Sequence, residues 1–215
     1  MDKTPVEILS LWSKGTSTNS SQIEEEYDIL AETYDETLRD WQYESPRIAA
    51  ELMKEFVVSN ESKILDAGCG TGLTGTALKK EGYNNIIGVD ISGTSLEIAR
   101  KADAYADLRK LDMQKPLPFQ DNEFDAVECI GVLTYIESTF LLDEFCRIVR
   151  PGGHVIFSQR EDLWHQRGYE VKLREMEESA LWKRKFISEP VPYLPKNADY
   201  AEKIRVQYFV YEICA

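Results

Sequence analysis

The sequence of 215 residues lacks the patterns that define several common protein classes. No apolar run approaches the ~20 residues that a membrane-spanning helix needs, and the first five residues lack the apolar core of a secretory signal. We therefore expect a cytoplasmic protein without a membrane partner. The four cysteines form no C-x-x-C pair, and the two histidines, His154 and His165, lie eleven residues apart, with no partner histidine at helical spacing. These spacings predict reduced thiols and no metal site.

Basic residues are scarce relative to acids. The chain has 25 Lys and Arg against 38 Asp and Glu, a net charge of -13. This excess of acid repels phosphate backbones, so nucleic acid is a disfavoured partner. The run Lys183, Arg184 and Lys185 keeps a local basic patch open, although solvated charges beside a strand explain it better. No G-x-S-x-G sequence occurs either, which argues against a serine hydrolase.

The sequence does contain a glycine-rich turn behind an apolar run. Residues 64–72 read Ile-Leu-Asp-Ala-Gly-Cys-Gly-Thr-Gly, and Asp90 ends the next apolar run. Glycines after a strand let the backbone approach a ligand, because no Cβ blocks it. An acid at the tip of the neighbouring strand can accept both hydroxyls of a ribose. The pattern predicts a site for an adenosine-containing cofactor; a turn whose glycines serve geometry alone is the alternative.

The spacing of the glycines selects among the adenosine cofactors. A dinucleotide fingerprint needs a third glycine where this chain has Leu73. A P-loop is excluded because no Gly-Lys-Ser/Thr sequence follows Gly72. Asp66, which precedes the glycines, would repel a pyrophosphate and suits the ammonium of an amino-acid moiety. The turn therefore favours S-adenosylmethionine, with S-adenosylhomocysteine as the product, over NAD or FAD.

Predicted strands and helices alternate after two N-terminal helices. Those two helices are predicted over residues 23–38 and 46–57, with Ser21 as the N-cap of the first. Strands are predicted over residues 63–66, 85–90, 108–111, 124–130, 154–158, 183–188 and 204–214. Repeated β-α-β units imply a parallel sheet with helices on both faces, and the last two strands suggest an antiparallel hairpin. We predict an α/β, Rossmann-like, seven-stranded and mostly parallel sheet with an antiparallel C-terminal strand.

The glycine turn and Asp90 resemble the first two motifs of the class I S-adenosylmethionine-dependent methyltransferases. The resemblance runs from about Tyr27 to the C-terminus. Residues 27–38, Tyr-Asp-Ile-Leu-Ala-Glu-Thr-Tyr-Asp-Glu-Thr-Leu, together with Trp-Gln-Tyr-Glu-Ser-Pro at 41–46 and Gly-Val-Leu-Thr-Tyr at 131–135, are similar to the methyltransferase-like proteins encoded in the Williams-Beuren syndrome region. The resemblance implies a methyltransferase core over residues 61–215 and a helical lid of the cofactor pocket over 23–60. Residues 1–22 are expected to form a flexible lead with a short helix near 6–12.

The resemblance also assigns residues to the cofactor. These are Tyr34, Asp66, Ala67, Gly68, Gly70, Asp90, Ile91, Asp112, Met113, Ile130 and Tyr135. Asp66 would face the methionine part, Asp90 the ribose, and Asp112 the adenine amino group. Tyr34 would close over the methionine carboxylate. For Tyr34 and Tyr135, a place in the core is the alternative, because an aromatic residue on a helix is most often buried there.

The methyl acceptor is less well defined by the sequence. Residues 129–132 read Cys-Ile-Gly-Val, which departs from the Asn/Asp-Pro-Pro-Tyr/Phe motif of base N-methyltransferases and disfavours that activity. Glu161, Trp164 and His165 are candidates for the rim of an acceptor site, with a solvated loop as the alternative. The loop over residues 190–200 would overhang that site. In-line displacement at a sulfonium needs mainly alignment of the acceptor, worth up to ~7 to 11 kcal/mol, so we assign no catalytic residue.

Three functional hypotheses remain open. The first is methyl transfer to a small molecule that carries an oxygen or nitrogen nucleophile. The second is methylation of a protein acceptor, which would need a wide opening near residues 190–200. The third is a regulatory or scaffold protein that binds the cofactor without turnover.

Overall fold

The computed structural model describes residue 8 and residues 17–214. The helix predicted near residues 6–12 therefore lies, except for Ile8, outside the described residues. Two helices come first, α1 (Ser20–Asp40) and α2 (Ser45–Phe56). Strands and helices then alternate as β1 (Ile64–Ala67), α3 (Leu73–Lys80), β2 (Ile86–Asp90), α4 (Gly93–Lys101), β3 (Asp107–Lys110), β4 (Phe124–Cys129), α5 (Phe140–Ile148) and β5 (Val149–Arg160). After β5 follow α6 (Glu161–Trp164), α7 (Tyr169–Glu178), β6 (Trp182–Ile187), β7 (Val191–Pro192) and β8 (Arg205–Ile213).

The strands form one sheet in the order β3-β2-β1-β4-β5-β8-β6, with the short β7 paired to β8. Strands β1 to β5 are parallel to one another, and β8 is antiparallel to β5, β6 and β7. Every residue of β1 and β2 is buried, as expected of parallel strands that are covered on both faces. The predicted α/β fold with an antiparallel C-terminal strand is confirmed, and β7 adds a short strand to the predicted seven.

Helix α1 begins differently from the prediction. Asn19 is its N-cap, because its Oδ1 accepts a hydrogen bond from the Gln22 N–H at 3.0 Å. The predicted cap, Ser21, lies inside the helix and is exposed. Asn and Ser are about equally good N-caps, so the sequence offered two candidates that propensity does not separate.

Strand β5 is longer than its predicted range of 154–158. Val149 pairs with Phe124, and the register then shifts before His154 pairs with Ala126. The intervening residues 150–153 contain Gly152, whose φ of +76° suits glycine. The Pro-Gly-Gly sequence therefore lies in a bulge within the strand, ahead of its predicted start at residue 154.

The core lies on both faces of the sheet. Helices α5 and α7 cover one face, and α2 and α3 cover the other. A smaller apolar cluster joins Ile8 and α1 to the segment between β7 and β8, through Leu30, Leu38, Leu194 and Tyr200. Within the part of the chain that the structure describes, no helix combines the length and the apolar character that a membrane crossing requires. The arrangement places α1 beside the carboxyl ends of β1, β2 and β4.

Candidate functional site

A cavity lies between α1 and the carboxyl ends of the central strands, with about 640 Å³ of empty space that includes its open mouth. It lies where open α/β sheets bind their ligands. The described residues that line it are Ser20, Ile23, Tyr27, Tyr34, Gly68, Gly70, Asp90, Ile91, Leu111, Asp112, Met113, Gln114, Ile130, Gly131, Val132, Tyr135 and Ile136. All the residues predicted to contact a cofactor are among them except Asp66 and Ala67.

Asp90 is the polar centre of the cavity. Its Oδ2 accepts the N–H of Gly70 and its Oδ1 the N–H of Ser92, both at 2.8 Å. Burial raises the pKa of Asp90, and the hydrogen bonds from Ser92 and Gly70 oppose that rise. A carboxylate oxygen has more than one acceptor site, so each oxygen can take a further donor. The carboxylate is thus held by the backbone and can still accept two vicinal hydroxyls.

The glycine turn provides a wall without side chains. Gly68 has φ +87°, and a Cβ at this position would lie 2.2 Å from Cγ2 of Val132. Gly70 has φ +53°, and a Cβ there would meet nothing within 4 Å. Gly68 is therefore required by packing, whereas Gly70 borders open space beside Asp90. This cradle fits a ligand that approaches the backbone closely.

Asp66 and Ala67 lie behind the turn, and neither lines the cavity. Asp66 Oδ2 accepts hydrogen bonds from the Thr74 hydroxyl at 2.6 Å and the Tyr105 hydroxyl at 2.8 Å. Its Oδ1 is buried and has no hydrogen-bond partner among the described residues. Burial raises the pKa of Asp66 to about 6. The role predicted for Asp66 and Ala67, contact with an aminoacyl group, stays a prediction.

Glu128 lies beside Asp66 in the sheet, and no motif had drawn attention to it. The two residues are paired across β1 and β4. Glu128 is fully buried, and neither of its carboxyl oxygens has a partner within residues 17–214. Burial, followed by the charge of Asp66, raises its pKa well above the usual value. The sequence signal was a second acid, after Asp125, within the strand Phe124–Cys129.

Asp112 and its neighbours form the far end of the cavity. Asp112 Oδ1 accepts the Gln114 N–H at 3.1 Å, and Oδ2 lies 3.2 Å from the Lys115 ammonium. Burial would raise the pKa of Asp112, but these donors outweigh it and lower the pKa. Asp112 is therefore an ionised acceptor next to the apolar side chains of Ile91 and Met113, a combination that suits a flat base with an amino group.

Gln114 was not predicted, and it fastens three segments at this end. Its amide Nε2 donates to the Ser20 hydroxyl at 3.0 Å and to the carbonyl oxygen of Thr18. Its Oε1 accepts the Glu137 N–H at 3.3 Å. The start of α1 is thereby joined to the loops that follow β3 and β4.

Carboxylates on α1 hold the rest of the helix over the cavity. Asp28 accepts hydrogen bonds from the Ser92 hydroxyl at 2.5 Å and the Thr94 N–H at 3.2 Å. Asp35 accepts one from the Thr71 hydroxyl at 2.5 Å. Thr71 lies on the turn after β1 and Ser92 on the turn after β2. Helix α1 is therefore bound to the same two turns that carry the glycines and Asp90.

Aromatic side chains form the opposite part of the cavity lining. The ring of Tyr27 makes edge contacts with Tyr34 at 5.9 Å and with Tyr135 at 5.6 Å between centroids. Tyr34 and Tyr135 were predicted, but Tyr27 was missed. Tyr27 precedes Tyr34 by two helical turns, so helical periodicity alone would have placed it on the same face.

The three residues proposed for an acceptor rim are not brought to the cavity. The ring of Trp164 stacks on Phe209 at 4.8 Å, against the core. The side chain of His165 is 78% exposed, and its Nδ1 lies 2.7 Å from Glu170. Glu161 is exposed. None of the three is among the described lining residues, and their role in acceptor binding stays a prediction.

A parallel sheet with a glycine turn and a ribose-type acid at its carboxyl edge defines a nucleoside-cofactor protein of the Rossmann-like class. The model of the protein family described as "Methyltransferase domain" matches residues 65–157 of this chain. Human methyltransferase-like protein 27 is 30% identical over 162 residues, which cover 73% of this chain and 66% of that protein. Ubiquinone biosynthesis O-methyltransferase of Alkalilimnicola ehrlichii is 33% identical over 101 residues, covering 45% and 40% of the two chains.

Among solved structures, the [4+2]-cyclase SpnF has a TM-score of 0.70 at 16% identity, covering 94% of this chain and 99% of that one. This similarity concerns the fold alone. The chain belongs to the class I S-adenosylmethionine-dependent methyltransferases, and S-adenosylmethionine is the cofactor of that family. It spans 66% and 40% of the lengths of the two curated relatives named above.

Proposed function

We propose that this chain transfers the methyl group of S-adenosylmethionine to a small molecule that carries an oxygen or nitrogen nucleophile. The observation that carries the proposal is the single cavity under α1, in which Asp90 and the glycine turn share one space with Tyr27 and Tyr135. A relative named as a ubiquinone biosynthesis O-methyltransferase also supports a small acceptor.

The residues of the cavity suit each part of the cofactor. The bound cofactor would supply a methyl group on a sulfonium, with a neutral thioether as leaving group. Asp90 would accept the ribose hydroxyls, and Asp112 the adenine amino group. The turn at Gly68 and Gly70 would accommodate the methionine portion, with Asp66 behind it. We call Gly68, Gly70, Asp90 and Asp112 the cofactor wall.

Helix α1 would act as the lid of this site. Asp28 and Asp35 bind this helix to the turns after β1 and β2, so the closed lid would exclude water from the cavity. Exclusion of water and alignment of the acceptor are the contributions that a methyl transfer needs from the protein. We accordingly propose residues 23–60 as the lid and residues 61–215 as the core domain.

The proposal is tested with S-adenosylmethionine that carries a labelled methyl group. The chain is incubated with the cofactor and with separated metabolite and protein fractions of a cell extract, and Asp90→Ala serves as the matched variant. We expect label in a metabolite, and much less with the variant. Label confined to proteins would favour the protein-acceptor hypothesis. Tight cofactor binding without any transfer would favour a regulatory protein.

A further inference from the structure

Two tyrosines that were not predicted as site residues meet at Gly131. Gly131 lines the cavity just after β4 and has φ +75°. A Cβ at Gly131 would lie 3.1 Å from the hydroxyl oxygen of Tyr43 and 3.1 Å from that of Tyr193. Tyr43 comes from the connection between α1 and α2, and Tyr193 from the segment between β7 and β8. Their rings make an edge contact at 5.5 Å, so two distant segments place phenol groups at one point of the site.

These phenols belong to a larger group, the tyrosine cluster, which consists of Tyr27, Tyr34, Tyr43, Tyr135 and Tyr193. Every member is half-buried. Three of them line the cavity, whereas Tyr43 and Tyr193 are not among its described lining residues and approach it at Gly131. Burial raises the pKa of Tyr43 and of Tyr193 above the usual value. Both are therefore neutral at physiological pH, where a phenol can donate a hydrogen bond but cannot act as a base.

A buried cation lies behind the cluster. Arg160 is 4% exposed, and its guanidinium lies 5.7 Å from the ring centroid of Tyr200. It pairs with Asp162 at 2.7 Å, and Asp162 is partly exposed, so solvent weakens that carboxylate's effect on the interior. The charge of Arg160 opposes the rise that burial causes in the pKa of Tyr193. The charge that acts on Tyr193 is thus a buried guanidinium that is paired with Asp162 through two hydrogen bonds.

The cavity offers donors but no free base in its described lining. Within residues 17–214, no histidine, lysine, arginine, cysteine or glutamate lines it. The two carboxylates that do, Asp90 and Asp112, already accept backbone N–H groups. An alcohol would need a base to lose its proton, and a protonated amine would have to approach both a sulfonium and Arg160. An oxygen acid that is ionised in water meets neither obstacle.

We propose, on the basis of the methyltransferase function above, that the acceptor is a small aromatic carboxylate whose anion is bound by the hydroxyls of Tyr43 and Tyr193. The edges and faces of Tyr27 and Tyr135 suit an aromatic ring. A lone pair of the carboxylate oxygen forms the new O–CH₃ bond while the S–CH₃ bond breaks and its electron pair stays on sulfur. The products are a methyl ester and a neutral thioether, and no proton moves.

Binding of benzoate and benzamide to the chain saturated with S-adenosylhomocysteine tests this assignment by calorimetry. We expect benzoate to bind at least about tenfold more tightly than benzamide, because its charge strengthens the hydrogen bonds. Tyr193→Phe and Tyr43→Phe should each weaken benzoate binding by about tenfold. Tyr211→Phe is the matched control, since the Tyr211 hydroxyl donates to Glu177 at 3.0 Å, outside the cluster. It should leave the affinity within about twofold.

Unchanged affinity for S-adenosylhomocysteine in all variants would show that the site is still folded. Equal affinities for benzoate and benzamide, or equal effects of Tyr193→Phe and Tyr211→Phe, would overturn the carboxylate assignment. Methyl transfer to amines or alcohols alone would overturn it too and leave the proposed function standing. Absence of cofactor binding in the unaltered chain would instead overturn the proposed function.

Discussion

The cofactor wall and the tyrosine cluster both contribute to the lining of one cavity, the cluster through Tyr27, Tyr34 and Tyr135, but they are assembled differently. The cofactor wall comes from three successive turns after β1, β2 and β3, within residues 68–112, and its carboxylates are held by backbone N–H groups. The tyrosine cluster draws on α1, the segment after it, the turn after β4 and the segment before β8. The first wall is therefore specified locally, while the second exists only once the whole sheet and α1 have come together.

Gly68→Ala should produce the largest loss of stability, because Gly68 packs the cofactor wall against Val132. The substitution combines a positive φ with a Cβ 2.2 Å from Val132, and we expect a loss of about 3 kcal/mol or more in the free energy of unfolding. Gly168→Ala is the control, with φ +70° but nothing within 4 Å of the new Cβ. It should cost about 1 to 2 kcal/mol. Similar costs in urea unfolding would show that the contact with Val132 is unimportant.

Asp90→Ala should separate the two walls functionally. The loss of the acid removes charge-assisted hydrogen bonds to the ribose, so S-adenosylhomocysteine should bind about 100-fold more weakly by calorimetry. Asp90→Asn should retain part of the affinity. Asp107→Ala, on the exposed strand β3, provides the control and should bind normally. An affinity for Asp90→Ala equal to that of the unaltered chain would remove the ribose assignment.

Glu128→Gln tests how the buried acid of β4, beside the cofactor wall, affects the pH dependence of stability. The folded-state pKa of Glu128 is raised by burial and by Asp66, so the native state keeps a proton that the unfolded state loses above its ordinary pKa. Stability from this group is present at low pH and declines as pH rises, by up to about 1.4 kcal/mol per pH unit.

Glutamine cannot ionise, so the variant should gain stability relative to the unaltered chain as pH rises from 5 to 8, by at most about 1.4 kcal/mol per pH unit. Urea midpoints at the two pH values measure the difference. Glu61→Gln, at an exposed position, is the control and should show no such trend. A constant difference across this pH range would mean that Glu128 ionises normally in the folded state.

Gln114→Ala should have the smallest effect on the cofactor site. It removes contacts of the lid but changes no residue of the cofactor wall or of the tyrosine cluster. The loss of the bonds to Ser20 and Glu137 should speed dissociation of S-adenosylhomocysteine by about threefold to tenfold in stopped-flow measurements. Gln120→Ala, at an exposed loop position, should leave the rate unchanged. Identical rates for the two variants would show that the start of α1 does not restrict exit.

The difference between the walls also explains what could be predicted from the sequence. Gly68, Gly70 and Asp90 stand at spacings that only a strand-turn-helix unit with a neighbouring strand satisfies, so local chemistry was sufficient. The same local order predicted the parallel strands.

Tyr43 and Tyr193 could not be predicted in this way. They lie far apart in the chain, and their convergence at Gly131 depends on how α1 and the segment before β8 pack together. Glu128 was missed for another reason, since apolar periodicity identifies the strand but does not tell the buried Glu128 from the half-buried Asp125 in it. Glu161 and His165 were proposed from their position after β5, but α6 directs the chain to the surface there.

The position of β8 has a consequence for how the protein forms during synthesis. Because β8 lies between β5 and β6, a nascent chain that has emerged only as far as residue 187 leaves those two strands without the neighbour that joins them. Strands β1 to β5, by contrast, find their parallel partners within residues 64–160. The parallel part of the sheet can therefore assemble during translation, while β6 must wait for residues 205–213.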